Sequence, residues 1–134
     1  MYKLALSADE KNIIDSKKPV LIGEVKKIFS TSNMRDPRNI PDKRQYSGLV
    51  QAAEHAACVE ELTLLIRYKS VKEGSKTGWK HMADPLAKAL EDLKKHAGEI
   101  AASLNGDISK YHLELARLFL GYLMWEGCSR KAGI

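Results

Sequence analysis

The stretch ISKYHLELARLFLGYLMWEGCS, Ile108 to Ser129, places Tyr111, Leu115, Leu118, Tyr122 and Trp125 at alternating intervals of four and three, with Phe119 and Leu123 beside them. That is the spacing of one helical face, and it predicts an amphipathic helix of about six turns. Asp107 stands where a side chain can accept the first-turn N–H groups, and Asn105 and Gly106 tolerate the left-handed cap that ends a preceding helix. The segment is therefore bounded, and a helix-turn-helix junction lies at its start.

Working back along the chain, the same period recurs. Asp84 and Pro85 form an N-cap and first-turn pair for a helix through Leu86, Leu90, Leu93, Ala97, Ile100 and Leu104, with Trp79, His81 and Met82 as a single turn ahead of it. EGSKTG, Glu73 to Gly78, reads as a turn. From Tyr46 to about Lys72, the residues Leu49, Val50, Ala53, Ala57, Leu62, Leu65 and Ile66 recur at steps close to helical, which predicts one helix of about 40 Å. Ser7 and Glu10 have capping-box spacing for a short helix that stops before Pro19, and Pro19 opens a second one over Val20 to Phe29. No stretch alternates as a strand does. The expected fold is all-α: a single domain over residues 1–134, a small antiparallel bundle of about five helices, with an exposed basic loop at about 30–45.

A chain of 134 residues, 44% apolar and 29% charged, can bury a core without staples. Cys58 and Cys128 are 70 positions apart and suit two free thiols in a reducing compartment. The opening MYKLALSADE turns acidic before any leader-like apolar run develops, and the longest apolar block, Leu118 to Trp125, is far short of a membrane span. The expectation is a cytoplasmic protein with no membrane association.

The net charge is +5, with a pI near 9.2, and it is unevenly distributed. Residues 1–45 hold ten Lys/Arg against six Asp/Glu, a net of +4, which leaves +1 for the rest. Much of the excess falls in STSNMRDPRNIPDKRQ, Ser30 to Gln45, with Arg35, Arg38, Lys43 and Arg44. A second cluster comprises Arg67, Lys69, Lys72, Lys76 and Lys80, opposed by Glu73. Concentrated basic surface suits a phosphate backbone, because each neutralised phosphate releases counterions. Within five residues, Thr31, Ser32, Asn33 and Arg35 offer hydroxyls, an amide and a guanidinium to phosphate and ribose, and Met34 can lie against a base. The alternative is a loop that caps the next helix, with Arg67, Lys69 and Lys72 complementing a helix C-terminus.

Catalytic patterns are missing. His55, His81, His96 and His112 are isolated, and His55 with Cys58 at i and i+3 makes an incomplete metal set. Glu60 and Glu61 point about 100° apart on a helix and are poor acid-base partners. There is no nucleophile elbow, and Gly74 to Gly78 has some letters of a phosphate loop in the wrong arrangement. The expectation is a non-enzyme with no cofactor and no metal.

The Thr31-Ser32-Asn33-Met34-Arg35 stretch ahead of a long helix, the segment Ile66-Arg67-Tyr68-Lys69 near that helix's end and the terminal helix YHLELARLFLGYLMWEGC together resemble the small subunit of type III CRISPR effector complexes. The resemblance implies a helical bundle without an active site, present in several copies along a filament beside other effector subunits and touching guide RNA and its paired target nucleic acid. It implies contacts from Thr31, Ser32, Asn33 and Arg35, supported by Arg67 and Lys69. Pro37 and Pro41 depart from the family pattern, as does the tail SRKAGI. Two rival readings stay open: an adaptor binding protein through the apolar stripe of the last helix, anchored by Tyr122 and Trp125, and an enzyme whose site forms between copies around His112 or His81.

Overall fold

The computed structural model describes residues 6–133, and the side chains of residues 73–77 are outside the description. Among the described residues there are six α-helices and no strand: α1 (Ala8–Phe29), α2 (Lys43–His55), α3 (Val59–Thr77), α4 (Trp79–Asp92), α5 (Lys94–Leu104) and α6 (Ile108–Lys131). α4 and α5 are separated only by Leu93, itself helical in φ and ψ, so the bundle has five helical rods. The first five residues of the stretch read for a leader lie outside the described residues, as does the side chain of Lys76.

The terminal helix organises the core. α6 packs against α1, α2 and α5, while α3 lies along α4. The connections between α3 and α4 (Gly78) and between α5 and α6 (Asn105 to Asp107) are so short that each pair runs antiparallel. Leu115, Ala116, Phe119, Leu120 and Leu123 of α6 are fully enclosed, facing Leu21, Val25 and Phe29 of α1, Leu49 of α2 and Ile100 of α5 in one continuous core. Gly127 leaves the space that the Tyr46 ring fills, since any β-carbon there would stand inside the ring's van der Waals contact.

Four element boundaries differ from the sequence reading, each for a physical reason. α1 runs through Pro19 instead of stopping before it. Pro19 is solvent-exposed and forfeits one N–H bond, a loss offset by the burial of Ile14, Leu21, Val25, Ile28 and Phe29 on one continuous face. The single long helix from Tyr46 is instead broken at Ala56 to Cys58, where Ala56 and Cys58 are extended. Side chains hold the break open. Arg117 Nε donates to the Ala53 carbonyl (2.7 Å) and its Nη2 to that of Glu54 (3.3 Å), replacing helical donors, and Glu61 Oε1 accepts from the Ala57 N–H (3.1 Å). The turn read over Glu73 to Gly78 shrinks to Gly78 alone, at φ +81°, and α3 continues through Thr77. α4 then starts at Trp79 with Pro85 inside it, because Trp79 and Met82 are core residues that the first turn buries. In consequence Arg67, Lys69 and Lys72 do not sit at a helix end, and the dipole role read for them falls away.

The caps at Ser7, Asn105 and Asp107 form as read. Glu10 does more than close its capping box. It accepts from the Ser7 N–H (2.9 Å) and reaches α6, where it accepts from Lys110 Nζ (2.9 Å) and the Tyr111 hydroxyl (2.7 Å). The backbone bond from Ser7, followed by Lys110 and Tyr111, lowers its carboxyl to about 2. A carboxylate depressed by folding stabilises the native state above its ordinary range and loses that contribution as pH falls through the folded value. Melting temperature is therefore expected to decline between about pH 4.5 and pH 2, with a shallower decline in Glu10→Gln, measured by circular dichroism melts across that range.

Candidate nucleic-acid interface

The basic segment between α1 and α2 is built, and its backbone is pinned. Two single turns of 3-10 helix, Ser32–Arg35 and Pro37–Asn39, carry the chain across the end of the bundle, and Asp42 then caps α2 by accepting from the Gln45 N–H. Met34 and Ile40, the only large apolar residues of the segment, are 2% exposed and belong to the core, and Pro41 is buried with them. Three further contacts fix it. Asn39 Nδ2 donates to the Asn33 carbonyl (2.8 Å), tying the two turns together. Lys131, near the end of α6, donates to the carbonyls of Ile40 (2.6 Å) and Pro37 (3.2 Å). Gly78 lies directly against the Asn39 carbonyl, too close for a β-carbon. The segment thus contributes to the fold, and the exposed basic loop expected at about 30–45 is exposed mainly in its polar side chains.

What this scaffold turns outward is charge. Thr31, Ser32, Asn33, Arg35, Arg38, Lys43 and Arg44 are all exposed. Arg38 holds Asp36 in a fork, Nε to Oδ1 at 3.1 Å and Nη2 to Oδ2 at 2.8 Å, which keeps the Asp36 carboxyl below its usual range and offsets the guanidinium charge locally. Arg35, Lys43 and Arg44 have no acidic partner among the described residues.

The second cluster is arranged differently from the sequence reading. Arg67 pairs with Glu91 of α4 at 3.3 Å. Lys72 lies over the Tyr68 ring, 6.0 Å from its centroid. Lys69 turns inward across Gly48 and donates to Gln45 Oε1 (3.3 Å), an oxygen that also accepts from the buried Trp79 indole N–H (2.8 Å). Gln45 is itself buried, and its bond to Trp79 satisfies a donor that would otherwise be desolvated without a partner. The two clusters meet at Gln45, where Lys69 fastens the end of the basic segment to α3. Sequence reasoning missed Gln45 and Lys131, and no periodicity or motif marks either. Gly78 was visible as a turn residue, but not as the surface on which Asn39 rests.

Other candidates are separated by the fold. His55 and Cys58 lie on either side of the α2–α3 break and do not share a helix face. Among the described residues no three His, Cys, Asp or Glu side chains converge on a metal-sized site. His112 Nε2 is bonded to the Leu90 carbonyl at 2.7 Å. The stripe of the last helix divides: Tyr111, Leu115, Phe119 and Leu123 are core, Leu118 is half-buried, and Trp125 is exposed with its ring 5.8 Å from that of Tyr122. Among the described residues no helix is long and apolar enough to cross a membrane. No protein-family model, curated protein or solved structure matches the chain.

Proposed function

We propose that this chain is a non-catalytic RNA-binding subunit of a ribonucleoprotein effector, of the type III CRISPR small-subunit kind its sequence resembles. In this reading the Ser30 to Gln45 segment lies along the backbone of guide RNA and target strand, and neighbouring copies and other subunits complete the assembly. The observation that carries the reading is the exposure of Arg35, Lys43 and Arg44, without acidic partners among the described residues, on a segment whose backbone is fixed by Met34, Ile40, Lys131 and Gly78. A fixed backbone presents these side chains to a polyanion without the segment first being ordered, so less entropy opposes binding. Exposed Thr31, just ahead of the first 3-10 turn, and exposed Ser32 and Asn33 on it add hydrogen-bonding groups for phosphate and ribose.

Arg35→Glu combined with Arg38→Glu is expected to weaken binding of a single-stranded RNA oligonucleotide tenfold or more in a fluorescence-anisotropy titration at fixed salt. The melting temperature stays nearly unchanged, because both side chains project from the surface. Full RNA affinity in the double variant counts against the reading. Purification of the native protein with its associated material is expected to bring down a ribonucleoprotein containing guide RNA. The groove lined by Ile22, Tyr122 and Trp125 supports the adaptor as a second reading, separable by its insensitivity to the arginine substitutions.

A further inference from the structure

α3 has two apolar faces, and the fold uses one. Val59, Leu62 and Ile66 point into the core. On the opposite side Leu64, Tyr68 and Val71 stand in a row at i, i+4 and i+7, exposed to 71%, 57% and 88%, with half-buried Leu65 along the edge. An apolar row of this kind on an otherwise polar surface marks a contact site. Its charges are ordered along the axis, Glu60 and Glu61 in the first turn and Lys72 three turns on.

We infer that this face pairs with the same face of a second copy, the two α3 helices antiparallel across a two-fold axis. The face is self-complementary, as a two-fold contact requires. With the axis passing between residues 67 and 68, Leu64 lies across from the partner's Val71 and Tyr68 meets the partner's Tyr68. Glu61 falls about 3 Å along the axis from the partner's Lys72, on the same flank, at 1.5 Å per residue. The pairing therefore matches apolar to apolar and acid to base, twice over. Among the described residues Arg67 is the cation brought near its own copy, and its pairing with Glu91 at 3.3 Å offsets that contact. A parallel arrangement would leave Glu61 about 16 Å along the axis from the partner's Lys72 and form neither pair. The inference is independent of RNA binding, and it describes a closed pair, unlike the open head-to-tail contact of a filament. One helix face per copy is a small interface, so association is expected to depend on concentration in the micromolar range.

Sedimentation equilibrium of the full chain, free of nucleic acid, from about 5 to 500 μM tests it. The expected result is a mass rising from monomer to dimer and no further. Leu64→Glu remains monomeric throughout with an unchanged circular dichroism melt, because Leu64 touches solvent and not the core. Lys72→Glu, at a side chain that bonds to no other element among the described residues, weakens the dimer at least fivefold with an unchanged melt. A monomer at every concentration overturns the inference. So does a dimer that survives Leu64→Glu, or one that is lost in Trp125→Glu instead, which would move the contact to the α1–α6 groove.

Discussion

Gly78→Ala is expected to lower the melting temperature by roughly 10 °C and to weaken RNA binding with it, although no charge is removed. Gly78 has φ +81°, a conformation that costs an L-residue about 1–2 kcal/mol. The added methyl would also stand against the carbonyl of Asn39 and the backbone of Pro41, which belong to the basic segment and cannot rotate aside as a side chain tip would. Together the two effects cost about 2–4 kcal/mol. Relief requires lifting the segment off the α3–α4 turn, and the cations on it lose their fixed placement. Gly23→Ala is the control: a methyl added there, on α1, meets nothing within 4 Å, so neither stability nor binding suffers. A Gly78→Ala protein with wild-type melting and wild-type affinity would refute the role given to this contact.

The second large effect lies in the core. Phe119→Ala is expected to cost about 3–5 kcal/mol, read from urea denaturation, because its ring is completely enclosed at the centre of the helix that α1, α2 and α5 all touch. Leu118→Ala, one residue away and half-buried, is expected to cost about 2 kcal/mol or less. The contrast checks which side of α6 is the core. Equal losses at the two positions would mean that the outer side is also enclosed, by an association the monomer does not reveal.

The fold class was legible because the apolar residues of α6 repeat strictly, and because its caps, Asn105 and Asp107, are local chemistry that sequence displays. The helix boundaries were less so. The five-residue step from Ala57 to Leu62 was the trace of the α2–α3 break, but the break itself depends on Arg117, more than sixty positions away, which supplies the donors that the helix gives up. Proline misled twice. At Pro19 and Pro85 the burial gained by a continuous face outweighed one missing backbone bond, and only the packed structure reveals that balance.

The candidate site was legible in its charges and not in its support. Arg35, Lys43 and Arg44 stand at the surface as their composition suggested, but Met34 and Ile40 turn the same segment into part of the core. Lys69, read as a contact for RNA, is drawn in by Gln45, because the buried indole of Trp79 requires an acceptor there and that acceptor can also hold an ammonium. Such assignments depend on long-range neighbours. A basic residue's charge is written in the sequence, whereas the partner that claims it is a property of the fold.

If the Ser30 to Gln45 segment presents cations without acidic partners among the described residues to a polyanion, the salt dependence of single-stranded RNA affinity will register it. With three such cations engaged, log K should fall against log salt with a slope of about −2, at roughly 0.7 per phosphate neutralised. In the Arg35→Glu, Lys43→Glu, Arg44→Glu variant the slope should collapse toward zero while the melt is preserved. Acidic residues in the first turn of α2 suit that helix end, so the fold has no reason to suffer. A wild-type slope near zero, or the same steep slope in the triple variant, would mean that these three cations do not engage RNA.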